Sequence, residues 1–131
     1  MLFHSFVSQD ERRKAGGGDF IEFQRCRCDT DATLGEIVSA GTVEHWKADS
    51  LYVHGDDWNL FIQYYGEIFV DGFYNNTLRG PVDGCGINYY PPEAVDEIIR
   101  QINASKPDGY TVLLEWLQKA DDCNGIYILG L

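Results

Sequence analysis

Asp56 and Asp57 in a turn, with Glu67 and Asp71 a short way on, form the carboxylate group best placed for chemistry. A pair of carboxyls runs general acid–base chemistry when its surroundings push the two pKa values apart. Spacing alone supplies no such difference, and acids beside a glycine commonly do no more than favour a turn. The D-x-D-x-D-G ladder of a calcium loop is absent. Cys26-x-Cys28 lacks the two-to-four-residue gap of a zinc knuckle, and Cys85 and Cys123 stand alone, so reduced structural thiols are expected. Asp83-Gly84-Cys85-Gly86 resembles an exposed nucleophile turn, but that device needs a helix directly after the nucleophile, and here a helix is expected only from Pro91-Pro92 onward. Gly16-Gly17-Gly18 could cradle a phosphate only with a strand before it, a helix after it and an adjoining Lys-Ser/Thr; a strand-like segment follows instead. No catalytic residue, metal or cofactor is expected, and the chain is read as a non-enzyme.

The elements that would position these residues centre on Leu51–Tyr74. Its aromatic and β-branched residues, punctuated by glycine, predict three short strands: Leu51–His54, Trp58–Tyr65 and Glu67–Asp71, with turns at Gly55-Asp56-Asp57 and Gly66. Alternation would put Leu51, Val53, Trp58, Leu60, Ile62, Tyr64, Ile68 and Val70 on a core face. Tyr52, Phe61, Tyr65 and Phe69 would share the other face with Glu67 and Asp71. That second face is either a recognition surface or a layer covered by helices.

Around this block, Met1–Ser8, Asp19–Arg25 and Thr42–Lys47 read as further strands and Gln9–Gly18 as a mobile loop. A short helix is expected within Cys28–Ala40, capped at Asp31 or Thr30. Asn75–Gly86 is a long loop of turn formers with Arg79 and Asp83 at its polar tips; its Asn75-Asn76-Thr77 matches a glycosylation acceptor, with nothing else to indicate secretion. Pro91-Pro92 opens a helix whose Val95, Ile98, Ile99 and Ile102 make one apolar stripe. A second helix follows from about Gly109 to Asp121 with Asp108 as its cap. Ile126–Leu131 is an apolar strand suited to the sheet interior. The sum is a single α+β domain over residues 1–131, a mainly antiparallel sheet with two helices in the C-terminal half and a closing strand.

The 131 residues carry a net charge of −11, and it is unevenly placed. Residues 1–27 hold five bases against four acids, whereas residues 28–131 hold five bases against 17 acids. Such a surface repels nucleic acid and membranes, steers basic partners inward, and also simply favours solubility. The chain lacks an apolar run long enough to span a membrane and, with its charges following the apolar residues at the N-terminus, lacks the pattern of a secretory signal. A cytoplasmic protein is expected. Aromatics interleaved with acids suit a protein partner with a basic surface.

Tyr89-Tyr90-Pro91-Pro92-Glu93 before an amphipathic helix, then LLEWLQKA at Leu113–Ala120 and GIYILGL at Gly125–Leu131, resembles bacterial immunity proteins. That family protects cells from polymorphic or contact-dependent growth inhibition toxins. The resemblance implies a protein that binds one cognate toxin domain and blocks its active site, a toxin that in many cases is a nuclease with a basic cleft. Asp56, Asp57, Glu67, Asp71 and Asp83 are then expected as steering groups, and Tyr52, Phe61, Tyr65 and Phe69 as anchors. An adaptor in a larger complex, or a small hydrolase or ligand-binding domain with a pocket between sheet and helices, are the alternatives.

Overall fold

Ile126, Tyr127, Ile128 and Leu129 present apolar or aromatic side chains on alternate sides, so a strand built from them is stable only where both of its faces are covered. In a computed structural model, which describes residues 1–16, 19–74 and 78–130, this strand lies inside the sheet and all four residues are buried. The elements in chain order are α1 (Gln9–Lys14), β1 (Phe20–Arg25), α2 (Leu34–Ile37), β2 (Leu51–His54), a 3-10 turn (Gly55–Asp57), α3 (Trp58–Tyr65), β3 (Gly72–Tyr74), β4 (Leu78–Gly80), β5 (Ile87–Tyr90), α4 (Pro92–Ser105), α5 (Tyr110–Gln118) and β6 (Ile126–Leu129). The six strands form one antiparallel sheet in the order β2-β1-β6-β5-β3-β4, an α+β architecture. β6 pairs with β1 through Phe23↔Ile128 and with β5 through Tyr90↔Ile126. No helix among the described residues is long and apolar enough to cross a membrane.

One face of the sheet carries Ile21, Phe23, Leu51, Val53, Tyr90, Ile126 and Ile128, packed under α3, α4 and α5. Val95, Ile98 and Ile102 of α4 are buried as its stripe requires. Rings fill much of this core: Phe61 stacks on Tyr65 with centroids 5.2 Å apart, and Phe3 and Phe23 meet edge-on at 6.0 Å. The opposite face carries Phe20, Tyr52, Tyr89, Tyr127 and Leu129, and it is buried too. Ile37 and Val38 cover one part of it and Phe6 with Trp46 another. Of the two readings left open for the second face, the covered one holds, and the cover is short α2 and the mostly irregular chain between β1 and β2, with Phe6 from the N-terminal segment.

That segment explains a further correction. Thr42–Lys47 forms no strand, because side chains of β1 take up its backbone groups. Gln24 Nε2 donates to the Glu44 carbonyl, and the Lys47 amide donates to Glu22 Oε2 at 3.1 Å. The same buried carboxylate oxygen accepts from Gln24 Nε2 at 2.9 Å, Ser50 Oγ at 2.7 Å and Tyr52 OH at 3.1 Å. A buried acid is costly unless satisfied in this way. Asp49 fixes the end of the segment: its carboxylate accepts from Arg25 at 3.3 Å and from Arg27, and its carbonyl accepts from Trp116 Nε1 at 2.7 Å. Burial works against ionisation of Asp49, yet the two guanidiniums hold its carboxyl below the usual range.

Other local differences have local reasons. Met1–Ser8 reduces to one antiparallel bridge between His4 and Tyr52, and Ser8 Oγ then caps α1 where a loop was expected over Gln9–Gly18. The cap of α2 is Thr33, not Asp31 or Thr30: Thr33 and Glu36 close a reciprocal capping box. α5 starts from Gly109 in the left-handed region, so Asp108 is not its cap. β4 arises inside the stretch read as a loop, and β5 precedes the Pro91-Pro92 helix start. Gly17, Gly18 and the acceptor pattern Asn75-Asn76-Thr77 lie outside the described residues.

The largest correction is α3. Trp58–Tyr65 is a helix, not the central strand, and Glu67–Asp71 is irregular. As a helix it turns Trp58, Phe61 and Tyr65 inward at i, i+3 and i+7, which leaves Trp58 on the expected side but reverses the faces expected for Leu60, Phe61, Ile62, Tyr64 and Tyr65. Phe61 and Tyr65 are 0% exposed, whereas Leu60, Ile62 and Tyr64 are 39%, 37% and 37% exposed. Tyr65 also donates its hydroxyl to the Asp108 carbonyl at 2.7 Å, which ties α3 to the α4–α5 connection.

Two outcomes follow from this packing. Phe61→Ala should lose about 3–5 kcal/mol of stability in chemical denaturation, while Leu60→Ala should change it by about 0.5 kcal/mol or less; the reverse ranking would restore the strand. Burial pushes the Cys26 thiol up to about 11 and pushes Tyr65, Tyr89, Tyr90, Tyr127 and Tyr52 above their ordinary value. Because the unfolded groups ionise first, from about pH 8.5 for a thiol and about pH 10 for a phenol, their contribution is complete below those values and is lost as pH rises. Denaturation midpoints should therefore fall through the alkaline range, with most phenolate absorbance appearing together with unfolding; tyrosine ionisation well before unfolding would contradict the burial of these rings.

Candidate protein-interaction surface

Between residues 48 and 99 the sequence has nine acidic residues and one basic residue, Arg79. Arg79 is already engaged: its Nε and Nη2 donate to the two Asp71 oxygens at 2.7 and 2.9 Å, and its guanidinium lies 4.7 Å from the Phe73 ring centre. This two-pronged pair favours the charged form of Arg79 and engages two of its donors while the side chain stays half exposed. Asp71 is consequently a strand-tip partner of β4 and not a free steering group, a correction to its expected role. The remaining acids of the stretch face no basic side chain from within it.

α3 itself carries no charge. The 3-10 turn places Asp56 and Asp57 at its start, where acids suit the positive end of a helix. The Asp56 side chain is almost wholly exposed and lies 3.6 Å from His54 Nδ1. At the other end Gly66 keeps right-handed helical geometry and donates to the Ile62 carbonyl at 2.8 Å, and a Cβ there would come within 2.5 Å of that oxygen, so the close approach requires glycine. The turn that follows leaves Glu67 exposed beside α3. A groove of about 350 Å³ opens there, lined by Ile62, Tyr64, Glu67, Pro81 and Val82. Val70, 43% exposed, lines a separate small pocket with Ala94 and Gln101.

Asp83 reaches the same region from the loop before β5. Its carboxylate accepts from the Cys85 amide at 2.9 Å, and Asn88 fixes the loop by accepting from the Asp83 amide and donating to its carbonyl. Gly84 is pressed against the Trp58 indole so closely that a Cβ would meet Nε1 at 2.9 Å. The loop carrying Asp83 thus leans on the first turn of α3. Asp56, Asp57, Glu67 and Asp83 are placed around one helix, whereas the expected grouping was Asp56, Asp57, Glu67 and Asp71 on a meander of strands.

The aromatic anchors are not. Tyr52, Phe61, Tyr65 and Phe69 are all 0% exposed. Tyr52 sits on the opposite face of the sheet, stacked on Trp46 and donating to Glu22. Phe61, Tyr65 and Phe69 are core residues under the helices. A side chain that already has a full set of neighbours has no surface to offer a partner, so this part of the expected site is corrected. Leu60, Ile62, Tyr64 and Val70 hold the exposed positions instead. The helical spacing of Trp58, Phe61 and Tyr65 is the signal that could have assigned them.

The arrangement offers burial and charge steering but no assembled reaction centre. Among the described residues no three His, Cys, Asp or Glu side chains are grouped to hold a metal ion. Cys85 is exposed, with its amide engaged by Asp83 and no base hydrogen-bonded to its thiol among the described contacts. Comparison of the chain with family models, with curated proteins and with solved structures gives no match in any of the three.

Proposed function

We propose that this chain is a toxin-neutralising protein of the immunity type, which binds a basic protein domain through α3 and its acidic surround and covers that domain's active site. The observation that carries the reading is the uncharged helix with Leu60, Ile62 and Tyr64 outward, flanked by Asp56, Asp57, Glu67 and Asp83 in a stretch whose one base is already paired. The apolar side chains on the flanks of the helix exclude water and supply burial, Asn59 and Gln63 between them offer hydrogen bonds, and the surrounding acids accelerate encounter with a cationic surface. A nuclease domain is the occupant with the right chemistry, because a cleft that binds phosphates is lined with Lys and Arg. This role places the protein in the cytoplasm, where such a toxin acts.

The test is co-expression with the polypeptide encoded directly upstream, scoring survival and recovery of a 1:1 complex. In the purified pair, Asp56→Lys with Glu67→Lys should slow association about tenfold at low salt and flatten its salt dependence. Ile62→Glu should instead speed dissociation, since it removes burial and not steering. Absence of toxicity and of a complex would sink the immunity reading. A complex whose kinetics ignore all three substitutions would move the interface elsewhere.

A further inference from the structure

Independently of that role, we propose that Cys26 and Cys28 form a thiol–disulfide exchange site whose reaction partner is a small disulfide of the glutathione class. The two sulfurs share one neighbour. Cys26 Sγ and Cys28 Sγ each lie 3.5 Å from the Tyr127 hydroxyl, which places both side chains on the same side of the chain leaving β1. Residues i and i+2 of an extended chain stand about 6.6 Å apart at Cα, within the roughly 6.8 Å that a disulfide can bridge. Cys28 is half-buried and, with Arg27, Asp122 and Cys123, lines an open cavity of about 830 Å³. Cys26 is 0% exposed. The accessible sulfur therefore meets the reagent and the buried one resolves the product.

The chemistry balances with that one co-reactant. The Cys28 thiolate attacks one sulfur of glutathione disulfide, forming a mixed disulfide and releasing a glutathione thiolate. Cys26 gives up its proton to the released thiolate or to solvent and attacks Cys28 Sγ, and the second glutathione leaves. Two protein thiols are oxidised and one glutathione disulfide is reduced to two thiols. Burial makes Cys26 a poor target for reagents in solution, but an adjoining thiol attacks at high effective concentration, and a sulfur of high proton affinity is the better nucleophile once ionised. A ring across three residues is strained and so is readily opened again by excess thiol.

The oxidised form differs in a defined place. Tyr127 donates to the Ile37 carbonyl at 2.6 Å and accepts from the Cys26 thiol. Ring closure removes the S–H groups and bends the backbone at Cys26, whose amide donates to the Gly125 carbonyl and whose carbonyl accepts from the Asn124 amide, each at 2.9 Å.

The experiment equilibrates the full-length chain in glutathione buffers of rising disulfide fraction, quenches with acid, alkylates the remaining thiols and maps the digest. Two of the four cysteines should disappear from alkylation together. Because trypsin cuts after Arg27, inside the ring, the two resulting peptides should stay joined by a disulfide. Cys123→Ser should leave this unchanged and Cys28→Ser should abolish it, while hydrogen exchange at the Cys26 and Asn124 amides should speed up in the oxidised wild type. Glutathione persisting on Cys28 without ring closure, pairing of Cys26 with Cys123, or four alkylated thiols at every buffer ratio would each overturn the proposal; the wild-type map decides even if a variant fails to fold.

Discussion

The strand β6 sets the terms for the rest of the molecule. Ile126 and Ile128 point to one side of the sheet and Tyr127 and Leu129 to the other, and none of them tolerates water. One cover comes from α3, α4 and α5, which have the apolar stripes that helices over a sheet require. Among the described residues no comparable helix is left for the second face. It uses the stretch between β1 and β2 instead, where α2 is only four residues long, so most of that layer is irregular backbone.

Irregular backbone over a sheet leaves amides and carbonyls unpaired, and buried unpaired groups cost more than the contacts around them supply. The polar side chains on the second face are the solution. Glu22 and Gln24 stand where a sheet core would ordinarily be apolar, and they serve as substitutes for the neighbouring strand that this layer lacks. Tyr127 and Tyr89 do the same elsewhere, donating to the Ile37 and Asn124 carbonyls at 2.6 Å each. Arg12, 9% exposed, closes the edge of the layer by lying about 6 Å from the Trp46 and Tyr52 ring centres. The second face is therefore held by specific hydrogen bonds as much as by burial.

What the sequence made legible follows the same division. Element type was readable where one rule dominated: the 3.6-residue stripe of α4, the proline start before it and the unbroken apolar run of β6. Trp58–Tyr65 satisfied two rules at once, since WNLFIQYY is β-rich in composition yet places Trp58, Phe61 and Tyr65 at helical spacing. Tertiary packing chose the helix, and with that choice Leu60, Phe61, Ile62, Tyr64 and Tyr65 changed sides, while Leu51, Val53, Trp58 and Ile68 kept the core positions expected of them. The second-face layer was illegible for a different reason. Nothing in the residues 42–47 announces that β1 side chains, twenty or more positions earlier, will satisfy their backbone. The acids were readable as a group because exposure of charge is close to obligatory; the aromatics were not, because the same residue types serve cores and interfaces equally well.

That asymmetry bears on where a partner can sit. Once Phe61, Tyr65 and Phe69 are committed to the core, α3 has only Leu60, Ile62 and Tyr64 to show, and helix packing gives them no second layer to hide under. Exposed apolar side chains scattered singly need no explanation; here Leu60 and Tyr64 lie one turn apart on one flank of α3 and Ile62 on the other, with the polar Asn59 and Gln63 between them, and Ile62 and Tyr64 line a groove. Lysines and arginines placed at its edge would have shielded it, as they do on many helices by laying their stems over apolar neighbours. The sequence supplies none from residue 48 to residue 78, and it closes Arg79 onto Asp71. Exposed Leu60, Ile62 and Tyr64 on an uncharged helix, with acids before and after it and no Lys or Arg between residues 48 and 78, put apolar area and negative charge side by side, and it is this combination that the proposed partner would have to complement.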